Sequence, residues 1–351
     1  MNKIRVLNKI DIEKNLNMQD VVIAVEEAYA LNSQKEIKLF DTVFHDFEEG
    51  KADMDIKSGT IDKAGIYGFK IMSWFSENEA KGLSSLMGNI MLYDRSTGAP
   101  IALLEGASIT GMRTGAAGGI AAKYLARKDS RELLMVGTGN QAPFQIASAL
   151  MMTENIEKVT VYNPHSYESA VKFSKKIKGI LRDDFLSKFK GEENIYEMVE
   201  KKYDVEFIAC DDLEAAVRRA DIIVTATPSR KAMIKKEWLK KGTHLTCIGS
   251  DMEGKQEIDE NIFSVARVFT DDAEKTSKVG EMEIAIKKGI FSKNDIVCEI
   301  GEVILGHNKG RITDDEITIF DASGLAAQDL LTAKVLMEKA EKFNLGTVIE
   351  L

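Results

Sequence analysis

The 351-residue chain has only three cysteines and four prolines. Cys210, Cys247 and Cys298 form no CxxC pair, which argues against a disulfide framework and a cysteine zinc site, and we expect no bound metal. With so few prolines there is no proline-rich linker, so we expect the domains to be joined by short elements.

An excess of cations and long apolar runs are also missing. Lys and Arg number 47 against 56 Asp and Glu, a net charge of −9, which argues against broad binding to nucleic-acid phosphates. No run approaches the roughly 18 apolar residues of a membrane span. Residues 1–5 lack an apolar signal core behind their charges. We therefore expect a cytoplasmic protein with free thiols and no nucleic-acid or membrane partner.

The length favours two domains, at about 150 residues each, and the 44% apolar content is typical of globular proteins. The first third mixes element types. The pattern predicts a helix over 21–31 with Asn17 as a possible N-cap, strands over 65–72 and 88–94, and a returning strand over 100–104 that completes a hairpin. Residues 109–125, rich in Ala and Gly, predict a tightly packed helix.

Beyond residue 130 the pattern changes to short apolar strands that alternate with helices. The predicted strands are 133–136, 159–162, 222–225 and 245–248, and the helices between them are 141–153, 166–178 and 213–219. Strands apolar on both faces indicate a parallel sheet covered on both sides, hence an α/β fold. The highly charged stretch 179–204 is interpreted as a solvated insertion, with disorder as the alternative.

A glycine motif opens the helix that follows the first of these strands. Its residues are Gly137, Thr138, Gly139, Asn140, Gln141 and Ala142, the GxGxxG/A arrangement with Ala in the third place. The first Gly permits a tight turn, the second admits a pyrophosphate, and the helix N-terminus attracts its charge. Strand, loop and helix together favour a dinucleotide site; a glycine turn without ligand is the alternative.

The end of the next strand usually selects the nucleotide, through an acidic residue on the ribose or an Arg on a 2′-phosphate. Asn163 stands there, so NAD and NADP both remain open, and the absence of a cation nearby favours NAD. Thr227 follows the predicted strand over 222–225. There it either lines the nicotinamide crevice or belongs to the turn that caps the strand.

Three charged residues stand out as candidates for substrate chemistry. Arg113 lies in the small-residue helix, so a buried guanidinium needs an acceptor: a substrate carboxylate, a cofactor phosphate, or a structural salt bridge. Lys70 in an apolar strand poses the same question, unless it is an edge lysine that points to water. Asp251 follows the strand 245–248 and is either a base beside the nicotinamide or a turn residue.

These motifs together resemble the ornithine cyclodeaminase/μ-crystallin family over about residues 15–345. The resemblance is carried by Lys70 and by the segments 88–94, 97–100, 110–117, 137–142, 249–251 with Lys255, 280–281 and 321–329. It implies a homodimer of two-domain chains. Residues 1–125 with 324–351 would form an α+β substrate-binding and dimerisation domain, and 126–323 a Rossmann dinucleotide-binding domain.

The resemblance also implies roles for individual residues. Lys70 and Arg113 match the family's contacts to the substrate carboxylate, and Asp251, with Lys70, its catalytic groups. The cofactor contacts would include Thr114 and Ser323 as well as the glycine loop, Asn163 and Thr227. One feature departs from the family: a second substrate-binding Arg is usual near residues 40–45, but no Arg occurs here between Arg5 and Arg95.

The function expected from the resemblance is NAD(P)-dependent hydride transfer at the α-carbon of an amino acid. Ornithine cyclodeaminase, which converts L-ornithine to L-proline and ammonia, is the first expectation. An alanine dehydrogenase or a ketimine reductase is the alternative, since the motifs do not select the substrate. A non-catalytic NAD(P)-dependent binding protein is an alternative of another class.

Overall fold

The computed structural model describes residues 3–350, which form two compact units. The first unit comprises residues 3–113 with 325–350, and the second comprises 114–324. The elements of the first part of the chain are β1 (Lys3–Leu7), α1 (Lys9–Asn15), α2 (Met18–Ser33), β2 (Ile37–Leu39), β3 (Val43–Glu48), β4 (Ala52–Ile61), β5 (Ile66–Phe75), β6 (Leu86–Asp94), β7 (Pro100–Glu105) and α3 (Gly106–Leu125). The boundary between the units falls within α3, twelve residues before the expected one at 125.

The second unit alternates strands and helices. Its elements are β8 (Glu132–Val136), α4 (Ala142–Met152), β9 (Lys158–Tyr162), α5 (Tyr167–Ile180), α6 (Glu193–Tyr203), β10 (Glu206–Ala209), α7 (Leu213–Arg219), β11 (Ile222–Thr225), β12 (Arg230–Ile234), β13 (His244–Cys247), β14 (Gln256–Ile258), β15 (Ala266–Thr270), α8 (Ala273–Val279), α9 (Glu283–Lys287), β16 (Cys298–Glu299), α10 (Ile300–Ile304) and β17 (Ile317–Asp321). The chain then returns to the first unit through α11 (Ala326–Phe343) and β18 (Thr347–Glu350).

The first unit is built on a mostly antiparallel sheet in the order β18-β1-β7-β6-β5-β4-β2, with β3 paired to β4. Only β1 and β7 run parallel. Helix α11 packs on β4, β5 and β6 and against α2. Gly68 permits this contact, because a Cβ there would lie 3.0 Å from the side chain of Leu330. The helix α2 begins after the predicted cap, where the side chain of Asn17 accepts from the Asp20 amide.

The second unit is built on a wholly parallel sheet in the order β10-β9-β8-β11-β13-β17-β15-β16. The four predicted strands are β8, β9, β11 and β13, at the centre and on one side of this sheet. Their apolar side chains are buried because helices cover both faces. The α/β fold class is therefore confirmed, and the order of the strands in this sheet is that of a Rossmann-type domain.

The charged stretch 179–204 is not a purely solvated insertion, and that prediction is wrong for its apolar residues. Helix α5 continues into a π-helical turn, Leu181–Phe185, and a 3₁₀ turn, Leu186–Phe189, and α6 follows. Phe185 packs edge-on against Phe144 at 5.6 Å. Four apolar side chains of this segment are buried and recur at near-helical spacing: Leu181, Phe185, Leu186 and Phe189. Its many charged side chains face outward.

Candidate active-site groups in the two units

A cluster of buried charges lies in the interior of the first unit. Lys70 extends from β5 and is 2% exposed, and its Nζ lies 3.0 and 2.9 Å from the two carboxylate oxygens of Asp329. The Nε of Arg113 donates to the same carboxylate at 3.0 Å. Asp329 is fully buried in the first turn of α11. The carboxylate of Asp329 thus forms ion pairs with two buried cations.

This geometry removes one alternative for Lys70 and gives Arg113 a partner within the first unit. The interpretation of Lys70 as an edge lysine is wrong, because β5 lies between β4 and β6 and buries that side chain. Arg113 has the acceptor that its burial requires, and that acceptor is Asp329. The salt bridge does not exclude a ligand, since a guanidinium carries five N–H donors and an ammonium three.

The protonation states follow from burial and from the neighbouring charges. Burial lowers the pKa of Lys70 to about 8, the charge of Arg113 lowers it too, and Asp329 opposes both. For Asp329, burial raises the pKa, but the charges of Arg113 and Lys70 outweigh it and hold the pKa below its usual value. At neutral pH the cluster therefore holds an ionised Asp329 and an ammonium on Lys70 that releases its proton in mildly alkaline solution.

Gln328 orients the cluster from the preceding position of α11. Its Oε1 accepts from the backbone amide of Leu325 at 2.8 Å and from Arg113 at 3.5 Å, and its Nε2 donates to the hydroxyl of Tyr29 at 2.8 Å. The sequence segment 321–329 was singled out only through the family resemblance, and the roles of Gln328 and Asp329 were missed.

In the second unit, the glycine loop has the geometry that a dinucleotide requires. Gly137 has a φ of +113°, and a Cβ there would lie 2.7 Å from the carbonyl oxygen of Ala226. A Cβ on Gly139 would meet open space instead, which leaves room for a pyrophosphate. Helix α4 then begins at Ala142 without a side-chain cap, so its N-terminus is available to an anion. The predicted contacts Thr138, Asn140 and Gln141 lie on this same loop.

Asn163 organises the turn after β9. Its Oδ1 accepts from the backbone amides of His165 and Ser166 at 2.8 and 3.0 Å, and its Nδ2 donates to the hydroxyl of Thr138 at 2.6 Å. A cavity of about 200 Å³ opens beside this turn and is lined in part by Asp211. The lining contains no Lys or Arg, and the negative charge of Asp211 opposes a 2′-phosphate.

Asp251 lies on the loop after β13, at the same carboxyl edge of the sheet as the glycine loop after β8. Its Oδ1 accepts from the Nζ of Lys255 at 2.6 Å, and its side chain is 50% exposed. A carboxylate in this position is accessible to a ligand and lies beside the cation of Lys255.

Buried carboxylates fasten the other loops of this edge. Glu257 accepts from the amide and hydroxyl of Thr227, both at 2.7 Å, and from the amide of Gly249 at 3.0 Å. Glu281 accepts from the amides of Glu257 and Ile258 at 2.7 Å and from the hydroxyl of Ser250. Burial and the charge of Glu257 raise the pKa of Glu281 to about 8. The sequence analysis missed Glu257, which ties the loop of Thr227 to the loop that carries Asp251.

The remaining predicted cofactor contacts are also buried in the second unit. The backbone amide of Ser323 donates to Asp271 at 3.1 Å, at the carboxyl end of β17. The carbonyl of Thr114 accepts from Gln145 at 2.8 Å, and Gly115 lets α3 approach α4, since a Cβ there would lie 2.6 Å from the carbonyl oxygen of Phe144. Among residues 3–350 no group of three or more His, Cys, Asp or Glu side chains could hold a metal ion. Over the same residues no helix is long and apolar enough to cross a membrane.

Comparison with known proteins identifies the family. The sequence model of the ornithine cyclodeaminase/mu-crystallin family matches residues 2–183 and 186–344. The chain belongs to the ornithine cyclodeaminase/mu-crystallin family. This confirms the resemblance stated from the sequence.

Several members of this family are similar to the chain over nearly its whole length. The alanine dehydrogenase of Archaeoglobus fulgidus is 36% identical over 98% of both chains. A solved archaeal alanine dehydrogenase dimer with bound NAD has a TM-score of 0.86 at 35% identity and covers 99% of both chains. The Δ1-pyrroline-2-carboxylate reductase of Thermococcus litoralis, solved with NADH and L-proline, has a TM-score of 0.87 at 31% identity over 98% of this chain and 99% of its own. Like these relatives, the chain is an enzyme of the NAD(P)-dependent oxidoreductase type.

Proposed function

We propose that this protein is an NAD(H)-dependent imine reductase or amino-acid dehydrogenase. It interconverts an α-imino acid and the corresponding amino acid by hydride transfer at the α-carbon. The observation that carries the proposal is the buried cluster of Lys70, Arg113 and Asp329. Its two cations can bind the carboxylate of a substrate, and the ammonium of Lys70 carries a proton that it can release. The alanine dehydrogenase and pyrroline-2-carboxylate reductase relatives favour this reaction over ornithine cyclodeamination.

The cofactor is NAD, held by the second unit. Gly137 and Gly139 admit the pyrophosphate, and Asp211 disfavours the 2′-phosphate of NADP. Solved relatives that carry NAD and NADH support this assignment. When bound, the reduced cofactor supplies the hydride.

Charged side chains of the protein bind the substrate and donate or accept its protons. Lys70 and Arg113 hold the α-carboxylate, with Asp329 keeping both cations in place. Asp251 stabilises the positive charge on the substrate nitrogen, and in the reverse direction it accepts the proton that the substrate ammonium loses before the hydride leaves. Near neutral pH the ammonium of Lys70 donates a proton to the imine nitrogen, which gives the iminium ion that accepts the hydride, and in the reverse direction the neutral amine of Lys70 takes this proton back.

We further propose that the first unit binds the substrate and forms a homodimer. It exposes apolar side chains on β3 and β18: Val43, Phe44, Phe47, Val348 and Ile349. The strands β3 and β18 lie at opposite ends of the sheet, and the apolar side chains of β3 are typical of a surface covered by another chain. The archaeal alanine dehydrogenase relative is a dimer, which supports this proposal.

The test is a panel of substrates followed by the absorbance of NADH. We expect NADH to be consumed with Δ1-pyrroline-2-carboxylate or with pyruvate plus ammonia, and more slowly when NADPH replaces it. Ornithine cyclodeaminase, the first expectation from the sequence, would instead form proline from ornithine without net NADH consumption. The proposal would be overturned if NADH were not oxidised with any imine. It would also be overturned if the protein formed proline from ornithine without net consumption of NADH.

A further inference from the structure

A second lysine lies beside Lys70 on the same face of the sheet. Lys57 of β4 is the direct antiparallel partner of Lys70 of β5, as Asp55 is of Met72. Because side chains alternate along a strand, both lysines point to the face that α11 covers. The side chain of Lys57 is only 12% exposed and lies 3.8 Å from Asp55.

Two cations in direct register weaken a sheet, since like charges opposite each other repel. The effect reaches the whole cluster, because the charge of Lys57 lowers the pKa values of both Lys70 and Asp329. Burial adds to the cost of each charge. An anion bound between the two ammonium groups would remove this repulsion.

We propose that Lys57 is a substrate-binding residue, and that it supplies the cation missing from the segment 40–45. The α-carboxylate then contacts Lys57 as well as Lys70 and Arg113. This inference rests on the proposed function and narrows its substrate class.

The charge of the cluster specifies that class. Lys57, Lys70 and Arg113 carry three positive charges, and Asp55 and Asp329 carry two negative ones. The three cations favour binding of the α-carboxylate, and a second ammonium, as on ornithine, would add to the repulsion. The substrate is therefore an imino acid without a cationic side chain.

Binding of pyrrole-2-carboxylate, a planar and unreactive monoanion, tests the role of Lys57 without turnover. Calorimetry on the NADH-loaded protein compares wild type with Lys57→Gln, Lys57→Arg and the exposed-lysine control Lys63→Gln. A charge-assisted contact corresponds to a loss of about 10-fold to 100-fold in affinity for Lys57→Gln. We expect Lys57→Arg to restore most of it and Lys63→Gln to match wild type.

Equal affinity in wild type and Lys57→Gln would overturn the inference. Thermal unfolding gives a second test: Lys57→Gln removes a like-charge pair and should melt no lower than wild type. A variant that fails to fold would show that Lys57 is structural and would also overturn the inference. If the analogue binds through Lys57 but no imine is reduced, the proposed function fails while the binding role stands.

Discussion

Lys70 lies against Asp329 and Arg113 in the interior of the first unit, where burial lowers the pKa of its ammonium to about 8. The protonated fraction therefore falls as the pH rises through 8. We expect kcat/KM for imine reduction to be level below about pH 7.5 and to decline above pH 8, because fewer molecules hold the proton.

A pH profile with saturating NADH checks this expectation, with Lys70→Arg as the matched variant. An Arg side chain stays protonated, so its residual activity should show no decline near pH 8. The same shift affects stability. The folded state binds fewer protons than the unfolded chain between pH 8 and the usual lysine pKa of 10.5, so the contribution of Lys70 to stability rises across that window.

Asp329 neutralises both Lys70 and Arg113, so Asp329→Asn leaves two buried cations without a carboxylate. Breaking a buried pair in this way costs about 3–5 kcal/mol of unfolding free energy. Asp62→Asn, which removes an exposed pair with Arg95, should leave the free energy of unfolding almost unchanged. Urea unfolding of the two variants checks the difference. A loss no greater for Asp329→Asn than for Asp62→Asn would show that the cluster does not depend on this carboxylate.

Asp251 is proposed to stabilise the substrate nitrogen from the loop after β13. Asp251→Asn retains the size but removes the charge and the basic oxygen, so turnover should fall by about 10²–10⁴. The affinity for NADH should barely change. Glu253→Gln, at an exposed position of the same loop, is the control and should retain its turnover. Nearly full turnover in Asp251→Asn would return Asp251 to the role of a turn residue paired with Lys255.

The sequence identified Lys70 and Arg113 but not the residue that joins them. Asp329 lies 259 positions from Lys70 and 216 from Arg113, so no local spacing connects the three. Burial of a charge predicts that a partner exists, but only the fold shows which one. For the same reason the opposition of Lys57 and Lys70 emerged only from the strand register.

At the scale of elements, the glycine loop makes the most specific prediction. Gly139 faces open space, so Gly139→Val should fold normally and place its side chain where the pyrophosphate must lie. We expect calorimetry to show no measurable NADH binding. Gly179→Val, also in open space but on α5, should bind NADH like wild type. Unchanged affinity in Gly139→Val would remove the loop from the cofactor site.

The elements predicted with success are the ones whose patterns are unambiguous. The strands β8, β9, β11 and β13 are nearly all apolar because both faces of the parallel sheet are covered. Strand β4 was missed because charged residues, among them Asp55 and Lys57, alternate on its inward face where apolar ones are expected. One of these charges, that of Lys57, is the one that we propose contacts the substrate carboxylate.

At the scale of the whole molecule, the apolar side chains on β3 predict that two copies of the chain associate through the first unit. We expect a solution mass of two chains at micromolar concentration. Phe44→Asp, at an exposed position of β3, should shift the mass toward one chain, whereas Ile312→Asp, at an exposed position of the second unit, should not. Light scattering behind size-exclusion chromatography measures both. A wild-type mass of one chain would contradict the dimer.

The central claim is net hydride transfer to the α-carbon of an imino acid. Its most direct test uses NADH that carries deuterium at the transferable position, with Δ1-pyrroline-2-carboxylate as the substrate and mass spectrometry of the proline formed. We predict one deuterium at the α-carbon for each NADH consumed. Proline without deuterium, or no consumption of NADH by this or any other imino acid without a cationic side chain, would contradict it.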